Sequence, residues 1–333
     1  MNRRALITTF IVAAGSSMAC PLAGRAQQSA RVRHVAVLLA AYGEADRAGQ
    51  ARIAAFVATL RRVGWTEERN IRLEYGWGAG NLDSGRSLAA ELVRSAPDAI
   101  VVAGDPALVE LRRLTTTIPL VFTQVSDPVD SGFAASLARP GGNITGFQNF
   151  EPEMGGKWLD VLKETAPGMR RVGVLFNAAT APHVVFLRAA EAAALHLGIS
   201  VTVAPIRSGG EIEQAIAAFG GEPGAGLIVL PHPITIANRA VISGLAARHR
   251  LPAIYPYRYF ATDGGLISYG PDQIDQWRGA ATYVDRILRG EKPGELPVQA
   301  PVKYEMVINL KTAKALDLEI SPMLLARADE VIE

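Results

Sequence analysis

Three apolar segments in the first half of the chain have counterparts in the second half, in the same order. The matched pairs are residues 34–39 with 171–176, 99–106 with 226–233, and 118–122 with 251–255. The offsets are 137, 127 and 133 residues, and two of the pairs keep a proline in register. One such match would mean little, but three in order predict two similar lobes. A single large α/β domain of uniform composition is the alternative.

Within each half, short apolar runs alternate with amphipathic stretches. Residues 35–40 form a continuous apolar run, which is typical of a strand buried on both faces. Ile53, Phe56, Val57 and Leu60 then recur at helical spacing. The alternation predicts an α/β fold in which each lobe is a doubly wound parallel sheet. A chain of 333 residues is long enough for two such lobes.

Turn-rich segments indicate where the lobes join. We expect lobe 1 to cover residues 31–147, together with a helix at about 272–290. We expect lobe 2 to cover residues 148–268, together with the segment at about 303–333, for which the other lobe is the alternative. The chain then crosses between the lobes more than once, and such crossings form a multi-strand hinge beside a cleft.

The first residues have the composition of an export signal. Arginines at 3–4 precede an apolar stretch, and Gly24 and Ala26 fit the small residues before a cleavage site. We expect residues 1–26 to be a signal peptide, with the twin-arginine route as one option, and the mature protein to be periplasmic. An uncleaved anchor is the alternative. Cys20 lacks the leucine three residues earlier that a lipoprotein signal usually has, so we expect no lipid anchor there.

Charge and motif content exclude several classes of function. The chain has 34 Lys+Arg and 32 Asp+Glu, a net charge of +2, without a basic stripe, so we expect no nucleic-acid partner. It lacks a dinucleotide-binding glycine motif, a P-loop, a nucleophile elbow and a zinc-protease motif. Its five histidines show no metal-ligand spacing. We therefore expect a binding protein with no cofactor and no metal, rather than an enzyme.

Polar and aromatic side chains follow most of the predicted strands. In open parallel sheets, ligands bind outside the carboxyl ends of the strands. Asp105, Asp127 and His232 each precede a proline, which is typical of helix N-caps. Helix starts suit an anion, and an Asp or Ser side chain can bind a ligand ammonium or hydroxyl. Helix capping alone is the alternative. The residues predicted to bind a ligand are Tyr42, Asp105, Ser126, Asp127, Asn149, Asn177, His232, Tyr255 and Tyr269.

Four stretches resemble one bacterial protein family. They are residues 301–316, 126–129 followed by 137–146, 246–255, and 264–272. In these stretches the chain is similar to the ABC-transporter substrate-binding proteins that include the tryptophan-type binding protein. The resemblance implies a type I periplasmic-binding-protein fold, in which two lobes close on a small solute. It also implies docking on an inner-membrane ABC permease with its ATPase.

Three functions remain open at this stage. The first is an extracytoplasmic solute-binding component of an ABC uptake transporter, a monomer that closes on a small solute, with an aromatic or other amino acid as one option. The second is a sensory module that presents a ligand to a membrane receptor, which needs the same two-lobed clamp. The third is an exported α/β enzyme, which would require a nucleophile–base pair or a metal in its cleft.

Overall fold

The computed structural model describes residues 31–177 and 181–333. Residues 32–333 form one compact unit, which contains two α/β lobes. The predicted signal peptide at 1–26, with Cys20, lies outside the described residues. Within the described ranges, no helix is long and apolar enough to cross a membrane.

The first lobe is built on a parallel sheet of five described strands in the order β2-β1-β3-β4-β5. The strands are β1 (Arg33–Leu39), β2 (Ile71–Trp77), β3 (Ala99–Ala103), β4 (Leu120–Val125) and β5 (Ile144–Gln148). The helices between them are α1 (Arg47–Arg62), α2 (Leu82–Arg94) and α3 (Asp105–Leu114). Every residue of β3 and β4 is buried, because helices cover both faces of the sheet.

The second lobe is built on a sheet of seven described strands in the order β12-β11-β10-β9-β8-β6-β7. The strands are β6 (Arg171–Asn177), β7 (Ser200–Ile206), β8 (Ala225–Val229), β9 (Ala253–Tyr255), β10 (Ile267–Pro271), β11 (Tyr304–Asn309) and β12 (Glu330–Ile332). The helices are α4 (Met154–Thr165), α5 (Ala181–Leu197), α6 (Ile212–Ala217), α7 (Pro233–Ala237), α8 (Arg239–Arg248), α9 (Arg258–Thr262), α10 (Gln273–Leu288), α11 (Leu310–Ala315) and α12 (Pro322–Arg327). Short 3-10 turns lie at Gly209–Glu211 and Pro293–Glu295. All of these helices except α10 belong to the second lobe or its edge.

The predicted duplication is confirmed by the order of the strands. The three matched segments form β1 and β6, β3 and β8, and β4 and β9, which occupy equivalent places in the two sheets. The second sheet also extends beyond the predicted parallel strands. β11 runs antiparallel to β10, and β12 extends the sheet beyond it. These two strands have no counterpart in the first sheet.

The chain crosses between the lobes three times within the described residues. It leaves the first sheet after β5, enters α10 after β10, and returns to the second sheet at β11. α10 packs on α1 and on the first sheet, where the Trp277 and Phe56 rings meet edge to face at 6.0 Å. The C-terminal strands β11 and β12 lie in the second sheet.

One predicted helix start is wrong. No helix follows Asp127-Pro128, and residues 126–143 form turns and irregular structure. An N-cap residue has an extended backbone, whereas Asp127 is left-handed with φ 46°. The Asp127 side chain instead accepts a hydrogen bond from the Asp130 amide at 3.2 Å, which closes a local turn.

Gly155 sets how closely α4 and α5 can approach. A Cβ atom at this position would overlap the carbonyl oxygen of Phe186 on α5. Gly155→Ala should therefore lower the free energy of unfolding by about 1–3 kcal/mol, because two backbones would have to separate. Gly244→Ala on α8 is the matched control, since no atom lies within 4 Å of its Cβ position. Urea unfolding should show the control unchanged or stabilised by up to about 1 kcal/mol. Equal effects of the two substitutions would contradict the close-approach argument.

Candidate functional site

The carboxyl ends of the two sheets face each other across the lobe interface. A small cavity of about 20 Å³, the central cavity, lies there and is lined by Asp105 and Gln124 from the first lobe and by His232 and Tyr257 from the second. A space of this size holds about one water molecule. The central cavity is therefore too small for a solute of amino-acid size, which needs either the adjoining space or lobe separation.

Asp105 lies in the first turn of α3, at the C-terminal end of β3. Gly104 occupies the N-cap position with φ 95°, a backbone conformation that favours glycine, and has no side chain to cap the helix. Its carboxylate accepts a hydrogen bond from the Ser126 amide at 3.2 Å. Burial raises the pKa of Asp105 to about 7, and the nearby Asp127 carboxylate adds to the rise, while the Ser126 hydrogen bond opposes it. No cation pairs with Asp105 among the described residues.

His232 and His183 form a neutral pair on the opposite wall. His232 is the N-cap of α7 and its Nδ1 accepts a hydrogen bond from the Ile234 amide at 3.2 Å. His183 donates from Nε2 to the Pro231 carbonyl at 2.9 Å, so its Nδ1 is the acceptor for the Asn177 amide at 3.2 Å. Burial lowers the pKa of His183 to about 4 and that of His232 to about 3. Both rings are therefore uncharged at neutral pH.

A larger cavity of about 530 Å³, the side cavity, adjoins the central cavity. The two share Asp105, Pro106 and His232. The side cavity has an apolar wall of Leu82, Val109 and Phe133 from the first lobe, and polar groups from both lobes. Those polar residues include Arg86, Glu110, Asn177 and Arg207. Its size and mixture of apolar and polar groups are typical of small-molecule sites.

Polar contacts join the lobes beside the central cavity. The Tyr42 hydroxyl of the first lobe lies 3.3 Å from the Tyr259 hydroxyl of the second, and Gln124 donates to the same Tyr42 oxygen at 3.0 Å. Arg239 on α8 forms an ion pair with Asp46 at 2.8 Å. At the crossing after β5, Asn149 donates to the Tyr257 hydroxyl at 2.7 Å and accepts from Gln273 at 3.0 Å. These contacts hold the lobes in a closed arrangement.

The structure distributes the nine predicted ligand-binding residues over four environments. Asp105, Asn177 and His232 line the cavities. Tyr42 and Asn149 are buried and form interlobe hydrogen bonds. Ser126 donates its backbone amide to Asp105, and the Asp127 carboxylate is close enough to raise the pKa of Asp105. Tyr255 and Tyr269 lie outside the central and side cavities. Tyr255 stacks on Phe260 at 4.9 Å inside the second lobe, and Tyr269 packs against Tyr304 at 5.9 Å.

Several residues of this region were not predicted, and Gln124, Tyr257, Tyr259 and His183 are the ones next to the central cavity or its contacts. Gln124 is a polar residue inside an otherwise apolar strand, and its left-handed φ of 56° coincides with a register shift in β4. Tyr257 and Tyr259 belong to an aromatic cluster that the sequence shows after β9, but its spacing does not say which ring faces the cleft. His183 lies in a helix with apolar neighbours, and no local signal distinguishes it from a packing residue.

Residues 45–332 match the sequence profile of the ABC transporter substrate binding proteins. The chain belongs to this family. The match covers both lobes and the C-terminal strands that were not part of the duplication. Members of the family are binding proteins that act outside the cytoplasm and supply a small-molecule solute to a permease with its ATPase.

Individual relatives of this substrate-binding protein agree with the family match. A tyrosine-binding protein of Clostridioides difficile (strain R20291) is 25% identical over 264 residues, which cover 79% of this chain and 76% of that protein. The crystal structure of a conserved domain protein from Vibrio cholerae has a TM-score of 0.83 and 26% identity, and covers 90% of this chain and 100% of that one. A Streptococcus pneumoniae ABC domain in complex with L-Trp has a TM-score of 0.82 at 20% identity, and covers 90% and 99%.

The raised pKa of Asp105 predicts how the stability of this substrate-binding protein depends on pH. The folded chain holds the Asp105 proton more tightly than the unfolded chain, so this group contributes stability that is present below about pH 4 and is lost as the pH rises through about 7. Asp105→Asn keeps an acceptor for the Ser126 amide and removes the charge. Relative to the wild type, the variant should gain on the order of 2 kcal/mol between about pH 4 and about pH 8 in urea unfolding.

Asp83→Asn is the control for this experiment, because Asp83 is exposed on α2. Its stability should follow the wild-type pH curve. Parallel pH curves for wild type and Asp105→Asn would contradict the assignment of a raised pKa to Asp105.

Proposed function

We propose that this protein is a monomeric, non-catalytic solute receptor of an ABC uptake system and that its solute is an α-amino acid. In this proposal residues 1–26 direct export to the periplasm and are removed. The mature chain then closes its two lobes on the solute between Asp105 and the opposite wall. The closed form delivers the solute to a membrane permease with its ATPase.

The main support for this proposal is the buried Asp105 carboxylate without a cation partner in the described part of the chain. It lies at the junction of the central and side cavities, and within the described residues no Lys, Arg or His forms an ion pair with it. A carboxylate that is desolvated without a cation holds its proton, as the pKa of about 7 indicates. A solute ammonium would supply the missing charge and stabilise the ionised form.

The remaining walls suit the other parts of an amino acid. Leu82, Val109 and Phe133 offer an apolar surface in the side cavity for a side chain. Two relatives support this class of solute. One is named a tyrosine-binding protein, and the other structure contains L-Trp. Both of those ligands carry an ammonium group next to a large aromatic side chain.

The chemistry of the site favours binding over turnover. His232 and His183 are uncharged, and each Nδ1 atom accepts a backbone amide hydrogen bond. Neither imidazole has a hydroxyl or thiol nucleophile as a hydrogen-bond partner among the described residues. Lobe closure would serve instead to exclude water and strengthen the polar contacts with the solute.

A screen of the L-amino acids tests the proposal. We expect at least one of them to raise the melting temperature of the purified, ligand-free protein, and calorimetric titration to give its Kd. Asp105→Asn should weaken that binding by about tenfold or more, since a hydrogen-bonded charge pair is lost. Asp160→Asn is the matched control, because Asp160 is exposed on α4 and lines neither cavity. Its Kd should change by less than about threefold.

The pH dependence of binding separates an ammonium contact from other contacts. Because the solute needs ionised Asp105, its affinity should rise as the pH increases through about 7 and level off above that value. The Asp105→Asn variant should show no such rise. Failure of every amino acid to bind the folded protein, or an unchanged Kd in Asp105→Asn, would reject the proposed site.

A further inference from the structure

A second interlobe cavity lies on the other side of the tyrosine contacts. This arginine cavity of about 510 Å³ is lined by α1 of the first lobe, by α9 of the second lobe and by the start of α10. Tyr257 lines both this cavity and the central cavity, and therefore separates them. Asp105 and His232 do not line it. The arginine cavity is thus distinct from the proposed amino-acid site.

Arg52 is the most buried charge in the wall of this cavity. The residue is 2% exposed, and its guanidinium lies 4.8 Å from the Tyr42 ring centre and 5.2 Å from that of Tyr259. Nη1 donates to the Ala48 carbonyl at 2.6 Å, whereas Nε is buried with no hydrogen-bond partner among the described residues. An arginine has five N–H donors, so this guanidinium is left under-bonded.

Two other arginines of the wall are already compensated, and a further one, Arg47, is exposed to solvent. Arg239 is paired with Asp46 at 2.8 Å and Asp263 at 2.9 Å. Arg258 is paired with Glu305 and Glu330. Arg52 has no carboxylate within 4.0 Å in the described part of the chain. Contacts with two tyrosine rings contribute about 1–2 kcal/mol each at best, which is less than the cost of desolvating an unpaired charge.

A second unsatisfied group borders the same cavity. Gln273 is 5% exposed, and its Oε1 is buried without a hydrogen-bond partner among the described residues, while its Nε2 donates to Asn149. Within the described residues the guanidinium lacks an acceptor for Nε and the amide oxygen lacks a donor, which is the composition of a polar binding site rather than of a packing defect. The Gln273 oxygen would accept from a donor elsewhere on the ligand and would not contact its carboxylate.

We propose that the arginine cavity binds the carboxylate group of a small molecule through Arg52. The planar guanidinium fork matches a carboxylate, and the low exposure of Arg52 strengthens the ion pair that would form. Such a ligand would contact residues of both lobes and favour their closed arrangement. This site does not depend on the proposed amino-acid site, because it uses a different cavity and a group of opposite charge.

Acetate is the probe for this site, and acetamide is its neutral counterpart of the same shape. Saturation-transfer NMR on the methyl group of each probe, at constant ionic strength in chloride, reports binding to the purified protein. We expect a signal from acetate and none from acetamide, because only acetate can pair with the guanidinium. Arg52→Gln should weaken acetate binding by about tenfold or more.

Two further variants keep the test decisive if Arg52→Gln folds poorly. Ala51→Glu places a carboxylate at an exposed position in the wall of the cavity, and should also weaken acetate binding while leaving the core unchanged. Arg94→Gln removes an exposed arginine at the end of α2, away from this cavity, and should change acetate binding by less than about twofold.

The variants of the two sites distinguish this inference from the proposed function. Asp105→Asn should leave acetate binding intact, and Arg52→Gln should weaken it by about tenfold or more. Equal signals from acetate and acetamide would overturn the carboxylate site. So would acetate binding that survives both Arg52→Gln and Ala51→Glu, or that is lost in Asp105→Asn.

Discussion

The arrangement of this protein depends on how polar groups are satisfied where two parallel sheets meet end to end. The carboxyl ends of strands carry polar loops, and closing one lobe on the other removes those loops from water. Each buried donor or acceptor that finds no partner then costs about 1–3 kcal/mol. Most of the interface meets this constraint with neutral pairs, such as Tyr42 with Tyr259 and Asn149 with Tyr257. Asp105 and Arg52 have no counter-charge in the described residues, and a charged group of a bound ligand would stabilise each of them.

The separation of these two charges is itself informative. Asp105 lies on the α3 side of the interface and Arg52 on the α1 side. Gln124 lines the central cavity with Asp105 and donates to Tyr42, whose ring lies against Arg52. If the two side chains touched, they would neutralise each other and neither would need a ligand. Because they line different cavities, each lacks a counter-charge among the described residues, and the two missing counter-charges have opposite signs. The acid responds by retaining its proton, whereas an arginine cannot lose its proton in the accessible pH range.

Much of the fold follows from local patterns in the sequence. The buried strands and the helical spacing determine β1, β3 and β4 and their copies β6, β8 and β9, because a parallel strand covered on both faces must be apolar throughout. β11 has the same local pattern, but its antiparallel direction depends on the return of the chain after α10, which no local signal records. The cavity residues divide in the same way. Asp105 and His232 follow strands directly, whereas Arg52 lies mid-helix, where an arginine normally extends into solvent.

The hinge side and the open side of the interface have different energetic roles. At the crossings, Gln276 donates to the Gln148 carbonyl at 2.9 Å and Gln273 donates to Asn149, so these amides tie together chain segments that remain neighbours whatever the lobe angle. Farther from the crossings, the Asp46–Arg239 ion pair and the tyrosine contact join residues that must part when the lobes open. Each of these contacts contributes only about 1 kcal/mol. The closed arrangement is therefore held weakly enough to open for a solute, and a solute that bridges both walls can shift the population toward closure by its own binding energy.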